Sequence, residues 1–485
     1  MELLGGLVLV VMAAFVLLWL RLSSGPIDLA PFRDDVEQAL SEAREGRAVS
    51  IGALQLEWSA ADKRIQIRAQ DVQLLDAAGR PAAEAKEAGI VLSASALLLG
   101  HVEVLRVTLE EGWIGLDHIK GNEWALGGDP LPEFKPRDDL PVTPQGWIDY
   151  ANTVLPEWLA ALRETDSELT IESIRFERFE VRVRTPELVQ IGTVQQTRAD
   201  LSRTSEGLRL TVSGAGFGQG IPGGMAMRME TSENGQRMLA EIGAANWPLG
   251  ELFRRIGLGG EGSEGLPSSF EVVVGFTEAS GIEEVRLNAR SGPGMLKFAD
   301  TAYPVKDLVL HGTYGRPDDQ LALTVESTGI GNFKGHVELE YDKALTGEGF
   351  RPFKLTSPAL TMDLTPLLAA PVDLASLSAS GEVDLDLFAL RALDAKVVTG
   401  GAAFEVKGDI ARTPDRLEGE LPVTATLDVR VPGELPLPTV IALWPANLAS
   451  GAREFGAVNV EAGKARNAVG WTTLQRDSMA EGFLR

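Results

Sequence analysis

From Val49 to Leu116, and again from Glu168 to about Val431, the apolar residues of this chain recur at every second position. Side chains alternate across a strand, so a period of two places one set on a single face. Leu54 and Leu56 alternate, as do Ile65, Ile67 and Ala69. Further on come Phe179, Val181 and Val183, then Leu208, Leu210 and Val212, then Met225, Met227 and Met229. The rhythm continues through Phe270, Val272, Val274 and Phe276, then Leu321, Leu323 and Val325, then Phe333, Gly335, Val337 and Leu339. It closes with Val383, Leu385 and Leu387, and with Val423, Ala425, Leu427 and Val429. Glu, Arg and other polar residues stand between them, so each strand has one apolar and one wet face. Asp76–Pro81 reads as a turn, and Glu233-Asn234-Gly235-Gln236 as a tight hairpin. The strands follow one another without βαβ spacing, which predicts a mainly β, antiparallel sheet.

Two arrangements satisfy such faces. Stacked sheets bury them against each other. A long, bent sheet lets them line an apolar groove. The rows are built from Val, Leu, Ile, Met and Ala, and aromatic residues make up only 6% of the chain. That lining suits flexible acyl chains, which need contact without direction. On the groove reading the lining residues are Phe179, Val181, Leu210, Met227, Val272, Phe276, Leu323, Val337, Leu385 and Val429.

Leu3–Leu20 is eighteen residues without a charge. As a helix it rises about 27 Å, close to the ~30 Å hydrocarbon core of a bilayer. Trp19 falls near one end, where an interfacial indole is stable. The stretch is longer than a signal-peptide core and lacks a small-x-small cleavage site before Ser23. The expectation is a retained transmembrane anchor over 1–22. Arg21 follows the helix, so charge alone does not set its orientation.

The rest divides by composition. Residues 23–127 read as a helix plus strands, the helix spanning Asp28–Glu45 and ending at Gly46. Ser93–Gly100 reads as a short helix. Residues 128–144 hold five prolines and read as a linker. Residues 145–485 open with a helix over Gln145–Glu164 and continue as the extended sheet. Short helices are expected at Trp247–Ile256, Thr365–Ala370 and Pro438–Trp444.

A net charge of −24 repels nucleic acid and anionic headgroups, so lipid contact would come through apolar surface. The chain has no cysteine, which removes disulfides, thiolate metal sites and Cys nucleophiles. Its four histidines, His101, His118, His311 and His336, fall in no metal-binding spacing and read as solvated strand or turn residues. Gly218–Gly223 matches G-x-G-x-x-G but precedes a strand pattern, where a phosphate loop needs a helix. Gly257–Gly265 lacks the lysine of a P-loop and offers no nucleophile elbow. The sequence therefore reads as a non-enzyme with no cofactor and no metal.

Two regions resemble the AsmA-like family, in particular its YhdP branch. The anchor is followed by a helix ending in Gly46-Arg47-Ala48-Val49-Ser50-Ile51-Gly52, and Leu98-Leu99-Gly100-His101-Val102 precedes a strand. Leu443-Trp444-Pro445 and Gly451-Ala452-Arg453-Glu454-Phe455 are similar to the branch's Trp-Pro and Ala-Arg-aromatic segments, with Phe455 in place of Trp. The middle of the chain matches only in its strand pattern. The resemblance implies a bacterial inner-membrane, single-pass protein whose bulk lies in the periplasm. It implies a bent sheet whose groove takes phospholipid toward the outer membrane, with an outer-membrane or periplasmic partner. The branch extends well past its Trp-Pro segment, whereas Arg485 follows soon after Trp444, which implies a chain shortened relative to the branch. The competing expectation is an envelope assembly scaffold that works through protein contacts without conducting lipid.

Overall fold

A computed structural model describes residues 21, 25–59, 64–93, 95–96, 103–120, 123–130, 144–168, 171–185, 189–216, 223–232, 234–250, 262–298, 301–331, 333–347, 349–363, 368, 371–385, 387, 389–412, 423–444, 450–459, 463–475 and 478–484. The expected anchor, with Leu3, Trp19 and Leu20, lies outside them. Among the described residues no helix is long and apolar enough to cross a membrane.

The chain is mainly β and gathers into two compact units, each discontinuous in sequence. One comprises residues 1–140 and 158–242, the other 141–157 and 243–485. They differ in this from the contiguous stretches read from composition.

In the first unit the strands are β1 (Ile27–Asp28), β2 (Val49–Ser50), β3 (Ala53–Ser59), β4 (Arg64–Leu75), β5 (Pro81–Leu92), β6 (Val104–Lys120), β7 (Glu123–Leu126), β8 (Asp129–Pro130), β9 (Ser173–Arg184), β10 (Gln190–Arg203), β11 (Leu208–Ala215) and β12 (Gly224–Ser232). A further strand, β13 (Arg237–Pro248), carries the chain into the second unit. The spatial order is β1-β3-β4-β5-β6-β9-β10-β11-β12. One pair departs from the expected antiparallel pattern: β6 and β9 run parallel, from Arg106 beside Ser173 to Asp117 beside Arg184. The segment between them includes a hairpin and a long helix, enough chain to return to the same end of the sheet.

At one level of this sheet the alternation changes phase within each strand. Asp71, Glu111, Arg178 and Gln196 sit there with φ of 51°, 51°, 57° and 50°. Each turns an exposed charged or polar residue out of the alternation; β4, β5, β6 and β9 keep their register across it, and the register shifts only in β10. The apolar set therefore stays on one face along the whole strand. Arg178 ties two of the charges down, reaching Glu110 at 2.7 Å and Glu111 at 3.4 Å.

Helix α1 (Arg33–Ala43) follows a 3-10 turn, Ala30–Phe32, and is shorter than the expected Asp28–Glu45, because Ile27–Asp28 pairs with β3. Asp34 and Asp35 in its first turn complement the helix dipole. Gly46, at φ 86°, ends it by donating to the Ser41 carbonyl at 2.8 Å. Glu37 accepts the Ile51 N–H at 2.6 Å and Ser41 the Val49 N–H at 3.1 Å, so the helix caps β2. Val36 packs on the buried cluster Val49, Ile51, Leu54, Ala69 and Ala88. The first residues of the proline-rich stretch belong to the sheet rather than to a linker: Asp129 lies in β8 and is gripped by Arg44 at 3.0 Å and Arg47 at 2.7 Å.

The second unit holds β14 (Glu264–Gly265), β15 (Pro267–Thr277), β16 (Gly281–Ser291), β17 (Gly294–Phe298), β18 (Thr301–Gly315), β19 (Gln320–Ile330), β20 (Phe333–Asp342), β21 (Arg351–Met362), β22 (Val372–Asp384), β23 (Ala389–Thr399), β24 (Ala402–Arg412), β25 (Val423–Pro436), β26 (Lys464–Gln475) and β27 (Ser478–Leu484). From β15 to β27 neighbours pair antiparallel in chain order, except that β16 pairs with β18 and β17 lies against β18.

Helix α2 (Pro144–Glu168) continues through Pro156 and is split between the units. Its part in the second unit contributes Ala151 and Leu155 to the core, while Asn152 accepts the Ile282 N–H at 2.9 Å. Two short helices follow β25, α3 (Leu437–Leu443) and α4 (Ser450–Asn459). Trp247 and Pro248, expected to start a helix, end β13 instead; Leu249 and Gly250 are helical, and 251–261 lies outside the described residues. Of Thr365–Ala370 only Leu368 is described, and of Ser93–Gly100 only 93 and 95–96.

Candidate functional site

The register turns the alternation of single strands into rows that cross the sheets. In the second unit one row runs Val272, Leu287, Gly312, Leu323, Leu339, Leu355, Ala379, Ala395, Val406, Val429, each residue opposite the next. It carries no polar side chain. At ~4.8 Å per strand the row covers roughly 43 Å, longer than the ~15 Å that one leaflet gives a lipid tail. A parallel row on the same face runs Phe270, Ala289, Leu310, Val325, Val337. Another runs Val274, Val285, Tyr314, Leu321, Tyr341, Phe353.

The opposite face is polar and paired. There Lys354 meets Glu340 at 3.3 Å and Lys407 meets Asp394 at 2.8 Å. His311 Nδ1 lies 2.8 Å from Asn288 Oδ1. His336 lies between Glu326 at 2.8 Å and Glu338 at 3.2 Å, and hydrogen bonds to Glu338 and then Glu326 raise its pKa above 6.5.

The first unit repeats the arrangement. One row runs Leu56, Ile67, Ile90, Val107, Ile174, Leu201, Leu210, Met229. Beside it run Leu54, Ala69, Ala88, Leu109, Phe176, Ala199, Val212, Met227. Beyond the change of phase Ala83, Ile114, Val181 and Val194 continue the same face.

Burial varies along these faces. Val272, Leu287, Leu323, Leu339, Leu355, Val406 and Val429 are half-buried, and so are Leu210, Met227 and Met229, whereas Gly312, Ala379 and Ala395 of the same row are buried. In a closed sandwich such residues would be sealed. The margins of the second unit's face are covered. On one side Tyr341, Ala344 and Phe353 form a core with Leu345; it takes in Ala379 and Ala395 of the row, with Leu339, Leu355 and Val406 packed against it, and leaves Val272, Leu287, Leu323 and Val429 outside. Asp319 pins the turn above it, accepting from Leu345 N at 2.9 Å, Thr346 N at 3.1 Å, the Thr346 hydroxyl and the Tyr314 hydroxyl at 3.1 Å. Burial opposes ionisation of Asp319, but these bonds outweigh it and hold the carboxylate below its usual range. Burial, then the charge of Asp319, push the Tyr314 hydroxyl up to about 12. Arg351 fastens the same turn through the carbonyls of Ala344, at 3.3 Å, and Gly347. On the other side Leu443, the last residue of α3, joins Leu360, Leu368, Val372 and Leu374, while Val440 packs on Val431 and Leu435.

The ten residues expected to line a groove therefore fall on these faces with different exposure. Leu210, Met227, Val272, Leu323 and Val429 stand in the open rows, and Val337 in the row beside. Val181 shares the face in the first unit. Phe179 and Phe276 share it too but are sealed, at 3% and 1% exposure. Leu385 lies in the turn after β22, because the strand ends at Asp384, and packs at the margin under Phe353 and its neighbours. Sequence reading missed Leu355 of β21 and the small residues of the row, Gly312, Ala379 and Ala395. For the small ones the signal was the same alternation, carried by residues too small to stand out.

Chemically these faces offer apolar contact and no polar anchor. Among the described residues no group of His, Asp and Glu is placed to hold a metal ion. No protein-family model, no curated protein and no solved structure matches this chain.

Proposed function

We propose that this protein is an inner-membrane-anchored bacterial envelope protein that holds or conducts phospholipid acyl chains on the apolar faces of its sheets. In this reading its bulk lies in the periplasm, it is not an enzyme, and it contributes to lipid transport to the outer membrane and to outer-membrane integrity. The observation that carries the reading is the row from Val272 to Val429, uninterrupted by a polar side chain, whose larger residues are half-buried and whose small ones, Gly312, Ala379 and Ala395, are buried. An acyl chain gains from leaving water and asks for no directed bond, and such a row provides that along its whole length. Leaving it to water would expose more contiguous apolar surface than soluble proteins usually tolerate. The resemblance to the AsmA-like family supports the same lipid class and supplies the proposed orientation.

A scaffold acting through protein contacts is the second reading. It is favoured by α4, where Phe455 and Val458 are 65% and 78% exposed. Lipid extraction separates the two. The full chain is purified in mild detergent and its phospholipid quantified by mass spectrometry, beside Leu323→Arg and Thr324→Arg. Phospholipid on the parent and on Thr324→Arg, lost in Leu323→Arg, supports the lipid reading. A parent free of phospholipid overturns it in favour of the scaffold.

A further inference from the structure

Three of the chain's nine methionines fall in five residues, Met225, Met227 and Met229 of β12. They face Gly214, Val212 and Leu210 of β11 in register. Two of them extend the apolar rows of the first unit: Met229 follows Ile174, Leu201 and Leu210, and Met227 follows Phe176, Ala199 and Val212. All three are half-buried, whereas Met238 in β13 is sealed at 1% exposure. The chain has no cysteine, so its only oxidisable sulfurs are thioethers.

We propose that these methionines are an oxidant-sensitive modification site, at which sulfoxide formation closes the apolar face to acyl chains; the second half of this rests on the lipid reading above. The reagent class is a two-electron oxidant such as hypochlorous acid. The thioether lone pair attacks its chlorine, forming an S–Cl bond as the O–Cl bond breaks and hydroxide leaves. Water then adds to the chlorosulfonium sulfur, an S–O bond forms and chloride departs; sulfur is oxidised by two electrons, chlorine ends as chloride, and one proton is released net. The sulfoxide is a polar acceptor where the row needs an apolar surface, and desolvating it without a donor is unfavourable. Reduction by sulfoxide reductases returns the thioether, so the change is reversible. Leucine or isoleucine at these positions would fill the same space without that chemistry, as Leu210 and Ile174 do in the same row.

The test uses the full chain in detergent, titrated with hypochlorous acid, with sulfoxides mapped by peptide mass spectrometry and bound phospholipid quantified in parallel. Met227 and Met229 are expected to be oxidised at equivalents that leave Met238 intact. Bound phospholipid should fall at least several-fold and return after treatment with methionine sulfoxide reductases. Whatever phospholipid the variant Met225→Leu/Met227→Leu/Met229→Leu carries at the start, the ratio of phospholipid after oxidant to that before should stay near one, whereas the parent's falls. Oxidation of Met238 as early as Met227, or equal lipid loss in the triple variant, overturns the proposal. If the untreated parent carries no phospholipid, the lipid reading fails and the closing step with it, and the order of oxidation alone decides whether the site exists.

Discussion

Asp117 and Arg184 stand side by side on the parallel strands β6 and β9 and form a buried two-pronged ion pair, with contacts of 2.5 and 2.7 Å. Arg184 also donates to the Pro81 carbonyl at 3.3 Å and lies over the Trp113 ring, 5.3 Å from its centroid. The pair thus joins β5, β6 and β9 where the register changes from antiparallel to parallel. A buried charge left without its partner costs about 3–5 kcal/mol. Asp117→Ala should destabilise the chain by that order in chemical denaturation. The double change Asp117→Ala/Arg184→Met should recover much of the loss, since it leaves no charge behind.

Helix α1 distinguishes two neighbouring apolar residues. Val36 packs on the Val49–Ile51–Leu54 cluster, whereas Leu40 is 38% exposed. Val36→Asp places a carboxylate against that core and should cost at least 1–3 kcal/mol. Leu40→Asp should stay within about 0.5 kcal/mol, as surface changes do. Limited proteolysis between 30 and 60 should rise only for Val36→Asp.

Much of this fold was legible in the sequence. Alternation alone put Leu210, Met227, Val272, Leu323 and Val429 on apolar faces, because period two is a property of the strand itself. It could not separate Leu323, in an open row, from Phe276, which is sealed, because exposure depends on what covers a residue. The parallel pairing of β6 with β9 was hidden for the same reason: it depends on where the chain returns after α2. The left-handed backbone at Asp71, Glu111 and Arg178 carries no local signal either, since none is a glycine.

That contrast in burial gives a stability test of the open face. Phe276→Ala removes a sealed ring and should cost about 3–5 kcal/mol. Leu323→Ala should cost less, and Leu323→Met under about 1.5 kcal/mol. Equal large losses at both positions would indicate a closed core. Leu323→Arg should keep its circular dichroism spectrum, because a long side chain at a half-open position can carry its charge out to water.

His336 supplies a pH dependence. Its folded pKa is raised above 6.5 by Glu338 and Glu326. The stabilisation is therefore fully present below about pH 6.5 and lost as pH rises through the folded value. The melting temperature of the parent relative to His336→Ala should be higher at pH 5.5–6 than at pH 8–8.5, with the difference shrinking as salt is added. A difference that grows with pH would contradict the assignment.

The central claim is that phospholipid lies along the apolar rows, and β19 offers the most direct measurement. A photocrosslinking residue is placed in turn at positions 321 to 326 of the full chain in membranes, and phospholipid adducts are identified by mass spectrometry. Leu321, Leu323 and Val325 share the apolar face, while Ala322, Thr324 and Glu326 share the other. The account predicts adducts that alternate with period two, present at 321, 323 and 325 and absent at 322, 324 and 326. Equal labelling of both faces, or no phospholipid adduct at 323, would contradict it.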